Sequence, residues 1–154
     1  MPEKIKLENI CIVLNRPRYP ENIGAAARAA SNMGIGRIAV VQPENYDLEK
    51  IYKLATHAAR ETVEKIRVYD NLLSALSKFQ YVVGTTARLG ARRQVIQSPS
   101  RLAERLIPIS QENRIAVLFG PEDRGLTNED TWSCHALVNI PTAEFSSLNL
   151  AQAV

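Results

Sequence analysis

Five short apolar runs recur along the chain, with helix-spaced segments between them: ICIVL at 10–14, RIAVV at 37–41, QYVVG at 80–84, RIAVLFG at 114–120 and HALVNI at 135–140. Each is rich in β-branched residues and nearly continuous in hydrophobicity, the pattern of strands buried on both faces of a parallel sheet. A weaker run, KIRVY at 65–69, reads as a sixth strand. The intervening segments NIGAAARAASNM (22–33), DLEKIYKLATHAA (47–59), NLLSALSKF (71–79) and SRLAERLI (100–107) have helical spacing. Start and stop signals agree. Asn22 stands where an N-cap belongs, Gly34 follows the first helix, Asp47 and Asp70 are placed to cap the next two, and Ser98-Pro99 precedes the fourth. Thr127 with Asp130 resembles a capping box opening a short helix at TNEDTW. The alternation predicts an α/β fold, a mostly parallel sheet flanked by helices, in one domain over residues 1–154. The helical pattern of the last segment has barely begun at Val154, so that helix is expected to be cut short, with a C-terminal extension missing.

Composition narrows the function classes. With 45% hydrophobic and 23% charged residues the chain is of ordinary globular type, and its apolar runs are too short to span a bilayer. The N-terminus lacks the apolar core and small-residue site of a cleavable leader, so secretion is not expected. Cys11 and Cys134 stand far apart with no C-x-x-C pair, which excludes a disulfide framework or a cysteine zinc site and fits a reducing cytoplasmic setting. His57, mid-helix among alanines, and His135, opening a strand, have no Cys or carboxylate at ligand spacing and read as structural, so no metal is expected. The net charge of +3 is mild, but it is carried by 13 Arg against 6 Lys. Arg88, Arg92, Arg93 and Arg101 fall in residues 84–101, a window without Asp or Glu. That window is either a solvated surface loop or a contact for an anionic polymer, whose phosphates suit the planar guanidinium.

A parallel sheet places its ligand beyond the C-terminal ends of its strands. Three of the loops there are chemically unusual. In NRPRYPENIGAAARAASNMG (15–34) the helix is packed with small residues that let another backbone approach, from the sheet or from a second subunit, and Arg28 lies on its polar stripe one turn from Gly24 and from Asn32. In LFGPEDRGLTNED (118–130) two glycines and a proline form a sharp loop around Glu122, Asp123 and Arg124. In IPTAEFSSLNLAQAV (140–154) Ser146, Ser147 and Asn149 open a helix, either as caps or as ligand contacts. No P-loop, dinucleotide fingerprint or nucleophile elbow is present.

Together, NIGAAARA (22–29), LFGPEDRGL (118–126) and IPTAEFSSLNLAQAV (140–154) resemble, in order and spacing, the three signature motifs of the SPOUT superfamily, in its SpoU/TrmH branch of RNA ribose 2′-O-methyltransferases. LATHAARE (54–61) and GTTARLGARR (84–93) resemble the TrmJ group, which acts on the tRNA anticodon loop. The resemblance implies a trefoil knot at the C-terminal side of the sheet, S-adenosylmethionine as cofactor and a homodimer with the site at the subunit interface. Carried over by position, Thr85, Thr86, Ala87, Gly120, Ile140, Ser147, Leu148 and Asn149 would surround the cofactor. Asn22, Arg28, Glu122, Ser147 and Asn149 match the family's catalytic positions, and Arg16, Arg18, Arg88, Arg92 and Arg93 are the candidate RNA contacts. The implied activity is methylation of a ribose 2′-hydroxyl in tRNA. The alternatives are an rRNA ribose methyltransferase of the same fold and a catalytically silent RNA-binding dimer.

Overall fold

A computed structural model describes residues 4–55, 57–86, 95–96, 99–122 and 125–139. Seven strands form one sheet: β1 (Ile10–Asn15), β2 (Ile38–Val41), β3 (Arg67–Tyr69), β4 (Tyr81–Thr86), β5 (Val95–Ile96), β6 (Ile115–Phe119) and β7 (Ala136–Asn139). Their order is β3-β2-β1-β6-β4-β7-β5, and every pairing is parallel. The helices are α1 (Pro20–Asn32), α2 (Leu48–Leu54), α3 (Arg60–Glu64), α4 (Leu72–Leu76), α5 (Pro99–Ser110) and α6 (Asn128–Thr131), preceded by a 3-10 turn at Leu7–Asn9.

The continuous hydrophobicity of β1 follows from burial on both faces. Ile12 and Leu14 join Ile23, Ala26, Ala27 and Ile51 under α1 and α2. Cys11 and Val13 point the other way, into a cluster with Leu118, Ala75 and Leu76 of α4. A third cluster packs Leu102 and Leu106 of α5 against Ile10, Val83, Ile115 and Val138. Both cysteines are buried, and burial raises the Cys11 thiol from 9.0 to about 11, which keeps it protonated and unreactive.

Several local expectations are corrected. Asn22 does not cap α1: Tyr19 is the N-cap residue and Pro20 the first helical one, where its fixed φ and missing N–H cost nothing. The segment at 47–59 divides into α2, which turns extended at Ala55 (ψ 132), and α3. His57 therefore lies in the turn between them, its carbonyl accepting from the Arg60 N–H. Asn71, not Asp70, caps α4 by accepting from the Ser74 N–H at 2.8 Å. The two-residue β5 is an added strand. The other signals hold: Asp47 caps α2, Thr127 and Asp130 form the reciprocal box at α6, and Gly34 (φ 86) ends α1. His135 is structural. Its Nδ1 accepts from the Val82 N–H at 2.9 Å, and its ring stacks on Tyr81. The last helix, which would complete the implied knot, lies in residues 140–154, outside the described residues.

Four small residues of α1, Gly24, Ala26, Ala27 and Ala30, serve contacts within the chain. Ala26, Ala27 and Ala30 are buried in the core, and a Cβ at Gly24 would collide with the backbone carbonyl of Ile51 in α2. This close approach fixes the sign of one substitution. In an exposed helix interior Gly→Ala stabilises by about 1 kcal/mol, but here Gly24→Ala is expected to destabilise by about 1–3 kcal/mol through overpacking. Chemical denaturation measures it, and a gain of stability would contradict the α1–α2 contact.

Candidate active site

The sheet order brings the first two unusual loops together. After β1 the chain builds outward through β2 and β3, then returns so that β6 pairs with the other side of β1. The crevice between β1 and β6 is therefore a topological switch point, the place where open parallel sheets bind ligands. Residues 16–19 leave β1 on one side of it, and residues 120–122 leave β6 on the other.

Glu122 joins them. Its carboxylate accepts from the backbone N–H of Arg18 at 2.9 and 3.2 Å, from that of Tyr19 at 3.1 Å, and from the side-chain amide of Asn22 at 3.0 Å. Tyr19 offers no side-chain cap to α1. The carboxylate, arriving from another loop, places negative charge at that helix terminus, where the dipole favours it. Asn22 thus contributes a donor to Glu122 rather than a cap.

The second loop is pinned in turn. The Gly125 N–H (φ 67) donates to the Pro121 carbonyl at 2.9 Å, and a Cβ at Gly120 would run into the backbone of Gly125 and Leu126. Gly120 is the residue that lets the two limbs of the loop close. Beside the clasp opens a cleft of about 420 Å³ walled by Arg16, Arg18, Gln42 and Glu44, with Gly125 and Thr127 opposite. Both arginines are held: Arg16 pairs with Asp130 at 3.3 Å, and Arg18 Nε with Glu44 at 3.1 Å. The Arg18 guanidinium also lies 5.7 Å from the Tyr19 ring centroid.

Arg28 stands apart, exposed on α1, with no hydrogen bond or ion pair among the described residues. Its stripe divides: Gly24 is buried against α2, whereas Arg28 and Asn32 face solvent. At the end of β4, Thr85 Oγ1 donates to the Leu118 carbonyl at 3.0 Å, and Thr86 pairs in register with Asn139 of β7. Ala87, Arg88, Arg92, Arg93, Ile140, Ser147, Leu148 and Asn149 lie outside the described residues. Among the described residues no cluster of three or more metal-ligating side chains occurs, and no helix is long and apolar enough to cross a membrane. Sequence reasoning missed Gln42 and Glu44, which follow β2 in a loop of ordinary composition.

The clasped pair of loops thus lies at the switch point of a parallel α/β sheet, where sheets of this kind bind their ligands. The model of the SpoU rRNA Methylase family matches residues 9–154, and the chain belongs to that family. It is 39% identical over 150 residues to the tRNA (cytidine/uridine/adenosine-2′-O-)-methyltransferase TrmJ of Pseudomonas aeruginosa, covering 96% of this chain and 58% of that one. A probable methylase family protein of Haemophilus influenzae superposes with a TM-score of 0.87 at 40% identity, over 96% of this chain and 62% of that one. An AdoMet-bound rRNA methyltransferase from Sinorhizobium meliloti aligns with a TM-score of 0.67 at 25% identity, over 99% of this chain and 54% of that one. The chain spans about 60% of the length of the curated relatives it matches.

Proposed function

We propose that the chain is the methyltransferase domain of an S-adenosylmethionine-dependent enzyme that methylates a ribose 2′-hydroxyl of tRNA, in the anticodon loop, and that it works as a cytoplasmic homodimer. The observation that carries the reading is the Glu122 clasp: it joins the loops of two family motifs at the switch point, beside a cleft walled by two arginines. The similarity to the Pseudomonas aeruginosa tRNA 2′-O-methyltransferase favours tRNA over rRNA.

The strand order supports an adenosyl site at the edge these strands share. β4, β6 and β7 are sheet neighbours whose C-terminal ends lie at one edge, so Thr85, Thr86 and Gly120 front the same region. With Ala87, Ile140, Ser147, Leu148 and Asn149 they would hold S-adenosylmethionine. Bound there, it supplies a methyl group already activated by a sulfonium, so the protein must align the nucleophile and manage its charge.

Glu122 and Asn22 do this indirectly, by fixing loop 16–19 and the start of α1. Arg16 and Arg18, with Arg88, Arg92 and Arg93, meet RNA phosphates. Arg28 acts as a cation: a guanidinium stays protonated in proteins, so it stabilises negative charge on the ribose oxygen or the adjacent phosphate instead of accepting the proton. Its exposure on α1 leaves it accessible to a second copy, with Ser147 and Asn149 as further polar groups of the site.

The test pairs calorimetry of S-adenosylmethionine with transfer of its labelled methyl group to tRNA from cells lacking the protein, both on a form extended to the length of the relatives. Binding with transfer to tRNA is the expected result. With rRNA assayed in parallel and RNA binding followed by filter retention, transfer to rRNA alone selects the other substrate, and RNA binding without transfer selects the silent dimer.

A further inference from the structure

The cleft beside the clasp contains a feature that phosphate binding does not explain. Arg16 and Gln42 are the first residues beyond β1 and β2, whose last residues, Asn15 and Val41, are paired in register. Both have left-handed backbones, at φ 52 and φ 43, and among the described residues they are the two non-glycine residues with positive φ. Each N–H extends the sheet by one bond, Arg16 to the Val41 carbonyl at 2.7 Å and Gln42 to the Tyr69 carbonyl at 3.0 Å. A left-handed conformation is unfavourable for a residue with a Cβ. Where the chain needs only such a turn it uses glycine, at Gly34 and Gly125. At Arg16 and Gln42 it keeps the side chain despite the strain, and both side chains wall the same cleft. Adjacent strained residues converging on one cavity are a mark of a ligand-contacting function.

The two side chains are in different states. Arg16 is engaged with Asp130, and its neighbour Arg18 with Glu44. The exposed Gln42 amide has no hydrogen-bond partner among the described residues. An amide presents a donor and an acceptor side by side, which matches the edge of a nucleobase. Single-stranded RNA loops offer such edges when a base is splayed out of its stack. Phosphate contacts position a nucleic acid, and base-edge contacts specify it. We propose that Gln42 reads a base edge of the substrate RNA while the flanking arginines hold its backbone, so that Gln42 sets which nucleotide is accepted. This rests on the reading of the chain as a tRNA ribose methyltransferase.

The test uses an anticodon stem-loop RNA randomised at the methylated nucleotide and its two neighbours. It is treated with S-adenosylmethionine and the extended enzyme, then sequenced for alkali-resistant linkages. The wild type is expected to show a base preference at one of these positions. Gln42→Ala should flatten that preference by about 5- to 100-fold, the scale of one two-point base contact, and leave the other positions unchanged. Gln42→Gly should lose the preference equally while its melting temperature stays the same or rises, because glycine accepts the left-handed backbone without strain. That combination separates base reading from a structural role. A preference kept by both variants, or a wild type with none at any of the positions, overturns the assignment to Gln42. A wild type that neither binds nor methylates any of the RNAs overturns the methyltransferase reading itself, and this inference with it.

Discussion

Arg28→Ala is expected to lower methyl transfer by ~10²–10³-fold while leaving the fold and S-adenosylmethionine affinity nearly unchanged. The fold should survive because Arg28 is exposed on α1 and makes no hydrogen bond or ion pair among the described residues. Surface substitutions of that kind usually stay within about 0.5 kcal/mol. On the proposed role, turnover should collapse because the Arg28 cation stabilises charge that appears on the ribose oxygen only as the hydroxyl reacts. Arg28→Lys should recover little, since a point charge does not reproduce the two-pronged geometry of a guanidinium. Thermal melts and single-turnover transfer on the same preparations decide it. A stable Arg28→Ala protein with near-normal turnover would leave Arg28 as a solvated side chain.

Glu122→Ala should behave differently, losing stability and activity together. Removing the carboxylate leaves the N–H groups of Arg18 and Tyr19 and the Asn22 amide without their acceptor. Hydrogen bonds to a charged group are each worth about 1.5–3 kcal/mol, and water can reach this half-buried site. The net cost is therefore expected near the value of one such bond, about 2 kcal/mol, or about 4–8 °C in melting temperature for a chain of this size. Glu122→Gln, which keeps one acceptor oxygen, should fall between. Asn22→Ala removes a single 3.0 Å bond and should cost less than Glu122→Ala. The double variant should cost less than the sum, because both substitutions break the same contact. Unchanged stability with abolished activity in Glu122→Ala would make Glu122 a reacting group rather than the clasp of the two loops.

The sequence made the sheet legible because strands buried on both faces leave continuous apolar runs, and β1, β2, β4, β6 and β7 all carry one. Boundaries were harder where signals compete. Asp70 and Asn71 are both good caps, and only the distance to the first turn of α4 selects Asn71. The division of 47–59 has no Gly or Pro to announce it; Ala55 simply leaves the helical region. At α1 the deciding signal was present, since Pro20 favours the first helical position and moves the cap from Asn22 to Tyr19.

The candidate site was legible as motifs but not as contacts. Glu122 reaches Arg18 across a separation of 104 residues, a pairing set by the order of β1 and β6 that no local pattern encodes. Gln42 escaped notice for a related reason. Its left-handed backbone lies one residue beyond the register of β2 with β1 and β3, and a glutamine before Pro43 does not signal that conformation.

The most direct measurement locates the transferred methyl group. tRNA labelled by the extended enzyme with methyl-labelled S-adenosylmethionine is digested with alkali and its products are separated. A 2′-O-methyl group blocks attack of that oxygen on the neighbouring phosphate, so label recovered in alkali-resistant dinucleotides from the anticodon loop is the expected result. Label recovered in mononucleotides, which would place the methyl on a base, or no label in RNA at all, would contradict ribose methylation by this chain.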